Sequence, residues 1–431
     1  MDSVRIADGF VSRIIKFFFR STLLLGVAFV FVLSILIVLF TTGGIAPYIL
    51  PINGSLLVYF LAWKLARRWK RLRKKRSVPE KIESDNKFSG EYLKNLTGLP
   101  AIFTYETIEI ATGGFSKEIG KGGFGTVYEG ILEDDTLVAV KCLVNESRQG
   151  QAEFCAEIGT TSSINHSNLV RLHGICVEGQ HRILVYEFMA NGSLDRWLFD
   201  SDKWLDWKTR YSIALDTARG LAYLHEESRL CILHLDVKPQ NILVDEYFKA
   251  KVSDFGMARC LKRDIESHLV TGVRGTPGYM APEWLLGAGI TSKSDVFSYG
   301  MVLLEIISGR RNVDNTRDSD NWYFPSIAIN KARQDKMEEI IETGLEMKRP
   351  EDLEEAYRLI KTALWCVQSN SGLRPSMGTV VRILEGDLEI LDPPSEWTLP
   401  FAPSVVYLKP SSDITLSVAE DTERSSLSFS T

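Results

Sequence analysis

The 431-residue sequence predicts an α+β protein with a small β-rich front, a larger helical back and transmembrane helices at its N-terminus. Three observations carry that prediction. Residues 21–63 form one long stretch without a charged side chain. Short β-branched runs, "LVAVKCL" and "HRILVYEF", dominate the first third of the segment that starts near Phe103. Longer stretches of helical patterning fill the rest: "WKTRYSIALDTARGLAYLHEE", "TSKSDVFSYGMVLLEIISG" and "LEEAYRLIKTALWCVQ".

Residues 1–20 carry four basic and two acidic side chains and read as a cytoplasmic N-terminus. A membrane span needs about 20 apolar residues. The uncharged region 21–63 therefore holds two, at 22–40 and 45–63, the second interrupted by Pro47, Pro51 and Asn53-Gly54. Residues 64–76, "KLARRWKRLRKKR", carry nine basic residues and no acid. Basic flanks stay on the cytoplasmic side, so a hairpin with both ends in the cytoplasm satisfies both flanks. A cleaved signal peptide followed by one span is the competing reading. Against it, the first apolar run is longer than a signal's usual stretch of about 7–15 residues, and no A-x-A-like site follows it. The hairpin predicts an integral membrane protein at the plasma membrane, with no room for a sizeable external domain.

The basic charge sits in one run beside the apolar region rather than over a folded face, which excludes a nucleic-acid partner. Six cysteines all lie after that run, with no zinc-like spacing, and read as reduced thiols of a cytosolic domain. Residues 64–102 form a basic juxtamembrane segment and a polar linker with Pro79, Gly90 and Pro100. The globular domain spans 103–386, its small part running to about 188 and its helical part from about 190. Residues 387–431, rich in Ser, Thr and acid, read as a disordered tail.

"IGKGGFGTVYEG" places Gly120, Gly122 and Gly125 in G-x-G-x-x-G spacing. A dinucleotide loop of this spacing opens a helix. Here Thr126-Val127-Tyr128 continues as a strand, so a glycine-rich hairpin over phosphates fits better: glycines let backbone N–H groups approach an anion. Further on, "VAVK" puts Lys141 inside an apolar strand, where an unpaired charge is costly. Glu157, on the helical stretch "QGQAEFCAEIGTTSSI", is the candidate partner. A lysine so held presents its ammonium to nucleotide phosphates.

The most restrictive string is "CILHLDVKPQNILVD". Asp236 can accept the proton of a substrate hydroxyl, Lys238 can neutralise a γ-phosphate, and Asn241 can offer an oxygen to Mg²⁺. "VSDFG" adds Asp254 as a second, charged Mg²⁺ ligand. Phosphoryl transfer requires little beyond such alignment and charge neutralisation.

From about Phe103 to Leu384 the chain resembles a eukaryotic protein kinase. The glycine loop, "VAVK", Glu157, "HLDVKPQN", "SDFG" and "APEW" occur in that family's order. "FTYETIEIATGGFS", "HSNLVRLHG", "LVYEFMANGSL" and "VRGTPGYMAPEW" are similar to the plant receptor-like kinase/Pelle branch. The resemblance implies a bilobal fold and phosphoryl transfer from ATP, with Mg²⁺, to protein hydroxyls. "DVKPQN" and "GTPGY" are the Ser/Thr-type forms. It implies Lys141, Glu157, Asp236 and Lys238 as the catalytic set. The nucleotide site is implied to comprise Ile119, Gly120, Gly122, Gly123, Phe124, Gly125, Val127, Ala139, Lys141, Asn241 and Asp254. Tyr186 stands as gatekeeper, and the backbone of Glu187 and Met189 is implied to hold adenine. Asp295 falls at the family's late structural aspartate, and Arg374 at the arginine that pairs with Glu283. Protein substrates and a receptor or co-receptor partner are the implied partners. Two readings of other classes compete. One is a pseudokinase scaffold, which would lack Lys141, Asp236 or Asp254. The other is a ligand-binding receptor, which would need an external domain.

One residue departs from the pattern. Most chains with this string carry arginine before the catalytic aspartate, where its buried charge pairs with a phosphate on the activation segment. Leu235 stands there instead and can only pack. The active geometry is therefore expected to be set by packing and not by a phosphate clamp. The alternative is that Arg259 or Lys262 serves as the clamp.

Overall fold

In the computed structural model, the residues described are 100–122, 125–143, 148–162, 164–261, 275–287, 289–314, 316 and 322–393. They form two lobes. The small lobe is a six-stranded sheet in the order β1-β5-β6-β4-β3-β2. Its strands are β1 (Ala101–Ile102), β2 (Glu118–Gly122), β3 (Gly125–Ile131), β4 (Leu137–Leu143), β5 (Leu172–Glu178) and β6 (His181–Glu187). All pairings are antiparallel except β1 with β5. Successive side chains on a strand point to opposite faces, and both faces of this sheet are covered. Helix α1 (Tyr105–Ala111) lays Ile108 against Val138, Val140, Cys176, Ile183 and Val185. Helix α2 (Arg148–Thr161) lays Phe154 and Ile158 against the opposite set, Leu172, Ile175, Leu184 and Tyr186. Two-sided burial explains why "HRILVYEF" is a continuous apolar run rather than an alternating one.

The approach to this sheet is built into it. Phe103 donates its N–H to the Ile175 carbonyl at 2.8 Å. Its ring lies where a β-carbon on Gly174 would be 2.2 Å away, so only glycine admits it. The Tyr105 ring stacks on His181 with centroids 3.9 Å apart.

The second lobe is built on helices. They are α3 (Asp195–Leu198), α4 (Trp207–Ala222, continued by a π-helical turn at Tyr223–Glu227), α5 (Pro282–Leu285), α6 (Ser292–Ser308), α7 (Phe324–Arg333), α8 (Pro350–Cys366) and α9 (Met377–Glu385). From Ser294 to Ser308 every residue of α6 is buried, which makes it the axis of the lobe. Thr291 and Ser294 close its N-terminus in a capping box, and Gly309 ends it at φ +61°. Four three-residue strands lie at the edge facing the small lobe. β7 (Cys231–Leu233) pairs with β10 (Arg259–Leu261), and β8 (Ile242–Val244) pairs with β9 (Ala250–Val252). Beyond α9 the chain turns back along α8: Trp365 donates to the Leu391 carbonyl, and Lys361 pairs with Asp392.

All six cysteines carry free thiols. Among the described residues no helix is long and apolar enough to cross a membrane. The two spans expected at 22–40 and 45–63, the basic run at 64–76, and residues 394–431 of the tail lie outside the described residues.

Candidate active site

The two lobes meet at a cleft, and the charged residues singled out in the sequence converge there. β2 and β3 form a hairpin whose register pairs Gly122 with Gly125. Gly123 and Phe124, between these two in sequence, lie outside the described residues. Gly125, at φ +145°, must be glycine for internal reasons: a β-carbon there would sit 2.2 Å from the Cys142 carbonyl oxygen. Among the described residues a β-carbon on Gly122 would meet nothing within 4 Å, so its glycine leaves open backbone where an anion can approach. Register brings Val127 and Ala139 to the same side of the sheet as Lys141.

Lys141 on β4 reaches Glu157 on α2, with Nζ at 3.1 and 3.0 Å from its two oxygens, and Asp254 Oδ1 at 2.8 Å. Burial works against the ammonium, but the carboxylates of Asp254 and Glu157 outweigh it and hold Lys141 charged well above the ordinary range. Burial also lifts Glu157 above the usual carboxylate range, against the pull of Lys141. For Asp254 burial is again the opposing cause, and Lys141 overcomes it, so that carboxyl titrates below its usual range. Tyr186 adds a grip on the same helix: its hydroxyl donates to Glu157 Oε1 at 2.5 Å. Next to it, the Glu187 carboxylate is committed to the Arg171 N–H and to Lys251, and Met189 is buried beside Tyr186.

Across the cleft, Asp236 sits at the centre of a second network. Lys238 Nζ donates to Oδ2 at 2.6 Å, Thr276 Oγ1 donates to Oδ1 at 2.7 Å, and Asn241 Nδ2 donates to Oδ2 at 2.9 Å. Lys238 also donates to Thr276 at 2.9 Å. The turn that presents Asp236 is strained. Leu235 has φ +65° and Asp254 φ +64°, conformations that cost a non-glycine residue about 1–3 kcal/mol each. Asp295, fully buried at the start of α6, holds that turn. Its carboxylate accepts the N–H of His234 at 2.7 Å and of Leu235 at 2.8 Å, and it pairs with His225 at 2.9 Å. Burial opposes that charge, but His225 and the backbone donors keep its carboxyl below the usual range. The His234 tautomer follows from its neighbours. Nδ1 accepts the Asp236 N–H, so Nε2 carries the proton and donates to the Ser253 carbonyl at 2.9 Å.

Glu283 and Arg374 meet as a two-pronged pair at 2.7 and 2.9 Å, with the guanidinium also stacked over Phe297. This pair ties the chain after the activation segment to the helical core. Residues 262–274, including Lys262, Ser267 and Thr271, lie outside the described residues, and Arg259 is exposed. Leu235 is 4% exposed, in an apolar cluster with Leu233, Leu261, Trp284 and Ile290.

Two contributors escaped the sequence reading. Thr276, which bridges Asp236 and Lys238, was legible only as part of the "GTPGY" string. Leu243, half-buried on β8 two residues after Asn241, packs against the cluster that holds Met189 and Tyr186, on the helical-lobe side of the cleft. It lies within a plain apolar triplet that carries no signal of its own.

Comparison with known proteins agrees with this geometry. Residues 114–384 match the family model for the protein tyrosine and serine/threonine kinases. A G-type lectin S-receptor-like serine/threonine-protein kinase of Arabidopsis thaliana, SD2-5, is 47% identical over 346 residues, covering 80% of this chain and 41% of the relative. A second G-type lectin S-receptor-like kinase of the same plant is 50% identical over 303 residues, covering 70% of this chain and 36% of the relative. A probable receptor-like protein kinase, also from Arabidopsis thaliana, is 44% identical over 319 residues and covers 70% of each chain. The chain thus spans about two-fifths of the length of the first two relatives. The chain belongs to the protein tyrosine and serine/threonine kinase family, in its plant receptor-like serine/threonine branch.

Proposed function

We propose that this protein is a membrane-anchored kinase that transfers the γ-phosphoryl group of Mg·ATP to serine and threonine hydroxyls of other proteins. The observation that carries the reading is the convergence of two charged networks on one cleft: Lys141 with Glu157 and Asp254, and Asp236 with Lys238, Thr276 and Asn241.

Each residue then has a task. Glu157 and Tyr186 fix Lys141, whose ammonium orients the α- and β-phosphates beneath the glycine hairpin. Asp236 accepts the proton of the attacking hydroxyl as the oxygen–phosphorus bond forms and the bond to ADP breaks. Lys238 balances charge on the group in transit. Thr276 holds Asp236 and Lys238 in register and lies where a substrate serine or threonine would enter. The donor set also fits Mg²⁺. Asn241 commits its Nδ2 to Asp236, leaving Oδ1, and Asp254 commits Oδ1 to Lys141, leaving Oδ2. One amide oxygen and one carboxylate oxygen suit a hard ion that keeps water and phosphate in its shell. When bound, such an ion supplies neutralisation of the phosphate charge.

The division into a cytoplasmic N-terminus (1–20), a two-span region (21–63), a juxtamembrane segment (64–102), a kinase domain (103–386) and a tail (387–431) belongs to the same proposal. The basic run would favour an anionic leaflet by about 1 kcal/mol per residue near the surface, which supports a plasma-membrane location with the kinase domain in the cytoplasm. A receptor or co-receptor partner fits this arrangement.

The test is phosphotransfer from γ-labelled ATP by the full chain to an external protein, followed by phosphoamino-acid analysis. Label on serine or threonine, lost in Lys141→Ala, is expected. Label on tyrosine alone would overturn the specificity, and no transfer by the wild-type chain would favour the scaffold reading. Protease protection of tags at Met1 and Thr431 tests the hairpin: a lumenal N-terminus would replace it with a single pass.

A further inference from the structure

The glycine hairpin has an irregularity with a use. Glu118 pairs with Tyr128 and Gly120 with Val127, so Ile119 is the extra residue of a β-bulge. A bulge leaves that residue outside the regular ladder, and the Ile119 carbonyl oxygen faces a partner from the other lobe. Arg196, on α3, donates Nη2 to it at 3.3 Å. Among the described residues this is the one hydrogen bond between the β2–β3 hairpin and the helical lobe.

The base of this contact is firm. Leu194 and Leu198, on either side of Arg196, are buried in the helical core. The Leu194 N–H donates to the Ile242 carbonyl at 2.9 Å. The Trp197 indole N–H donates to the Asn191 carbonyl at 2.8 Å, and its ring packs edge-on to Phe248. The guanidinium itself is exposed. A fixed stem with an exposed tip, reaching the one carbonyl that the bulge frees, can make and break without disturbing either lobe's core.

We propose that Arg196 is a positioning residue: it latches the glycine hairpin to the helical lobe at the mouth of the cleft and slows escape of a bound nucleotide. The inference rests on the nucleotide site of the proposed function and names a residue that the phosphate-binding set does not contain. It acts through the hairpin, on nucleotide residence, and not on the transfer step.

The experiment measures release of a fluorescent ATP analogue, chased with excess ATP in the presence of Mg²⁺, from full-length wild type, Arg196→Ala and Arg196→Lys. The net contribution of one such hydrogen bond corresponds to roughly a 3–10-fold change. Arg196→Ala is expected to release the analogue faster by that factor and to raise KM for ATP similarly, with no fall in kcat. Arg196→Lys, which keeps a donor, is expected to fall between the two. Melting temperatures without nucleotide should match, because the tip is exposed. Release from Arg196→Ala at the wild-type rate, or a loss of kcat at unchanged KM, would overturn the latch. Wild type that binds no nucleotide would overturn the proposed function and the latch with it. Wild type that binds, beside an Arg196→Ala that is indistinguishable, overturns the latch alone.

Discussion

Replacing Leu235 tests how this kinase holds its activation segment. The side chain is 4% exposed, in a cluster that gathers three parts of the chain. Leu233 and Leu235 come from the catalytic turn, and Met257 and Leu261 from the start of the activation segment. Met280 comes from just before its end, and Trp284 and Ile290 from beyond it. The cluster thus adds apolar packing at both ends of the segment to the β7–β10 pairing at its start and the Glu283–Arg374 pair at its end. Leu235→Ala removes that centre and should cost about 2–5 kcal/mol. For a domain of this size each kcal/mol moves the melting point by about 2–4 °C, so a drop of roughly 4–20 °C is expected, with reduced phosphotransfer. Leu235→Met, close in volume, should cost under about 1.5 kcal/mol. Leu235→Arg places a cation among apolar side chains, and an uncompensated buried charge costs about 3–5 kcal/mol. The assay is thermal melting beside phosphotransfer to an external substrate, with Ser267→Ala and Thr271→Ala in parallel. Those two should change activity by at most a few-fold. The reasoning fails if Leu235→Arg is as stable and active as wild type. It fails equally if Ser267→Ala or Thr271→Ala nearly abolishes activity and an acidic residue restores it.

Ile108→Ala should destabilise the protein by about 2–5 kcal/mol, since that side chain is fully buried between α1 and the sheet. A chain begun at residue 114, where the family match starts, should melt lower than one begun at 100; equal melting would show that α1 is dispensable. Glu305 predicts a pH dependence. Its carboxyl is 1% exposed and accepts the Tyr279 hydroxyl at 2.9 and 2.8 Å and the Asn312 N–H at 2.8 Å. Burial pushes it up to about 8. A raised carboxyl pKa means the folded state binds the proton more tightly than the unfolded chain does. Its stabilising share is full below the unfolded value of about 4.3 and is lost as pH rises through 8. Glu305→Gln should therefore melt with a flatter pH profile between 5 and 9 and gain on wild type toward pH 9. Parallel profiles would contradict the assignment.

The long elements were legible because their signals are local. "TSKSDVFSYGMVLLEIISG" became α6 (Ser292–Ser308) almost to the residue, since capping at Thr291 and Gly309 is written in the sequence. "LVAVKCL" became β4 without change. The strands β7 to β10 were not legible. Three residues each, they form only where the lobes meet, and no periodicity can announce them. The charged residues of the site and two of their pairs, Lys141 with Glu157 and Arg374 with Glu283, were legible in the sequence, but that Tyr186 grips Glu157 and that Lys141 also reaches Asp254 depend on tertiary approach. Thr276 shows the same limit, because it meets Asp236 from 40 residues away in sequence.

Asp236→Asn tests the central claim most directly, because the change is nearly isosteric and removes the carboxylate proposed to accept the hydroxyl proton. Measured in one preparation of the full chain, Mg·ATP binding should stay close to wild type. Single-turnover phosphotransfer to a serine or threonine substrate should fall by at least about 10²-fold, the low end of what a positioned general base contributes. Transfer by Asp236→Asn at the wild-type rate would contradict the account.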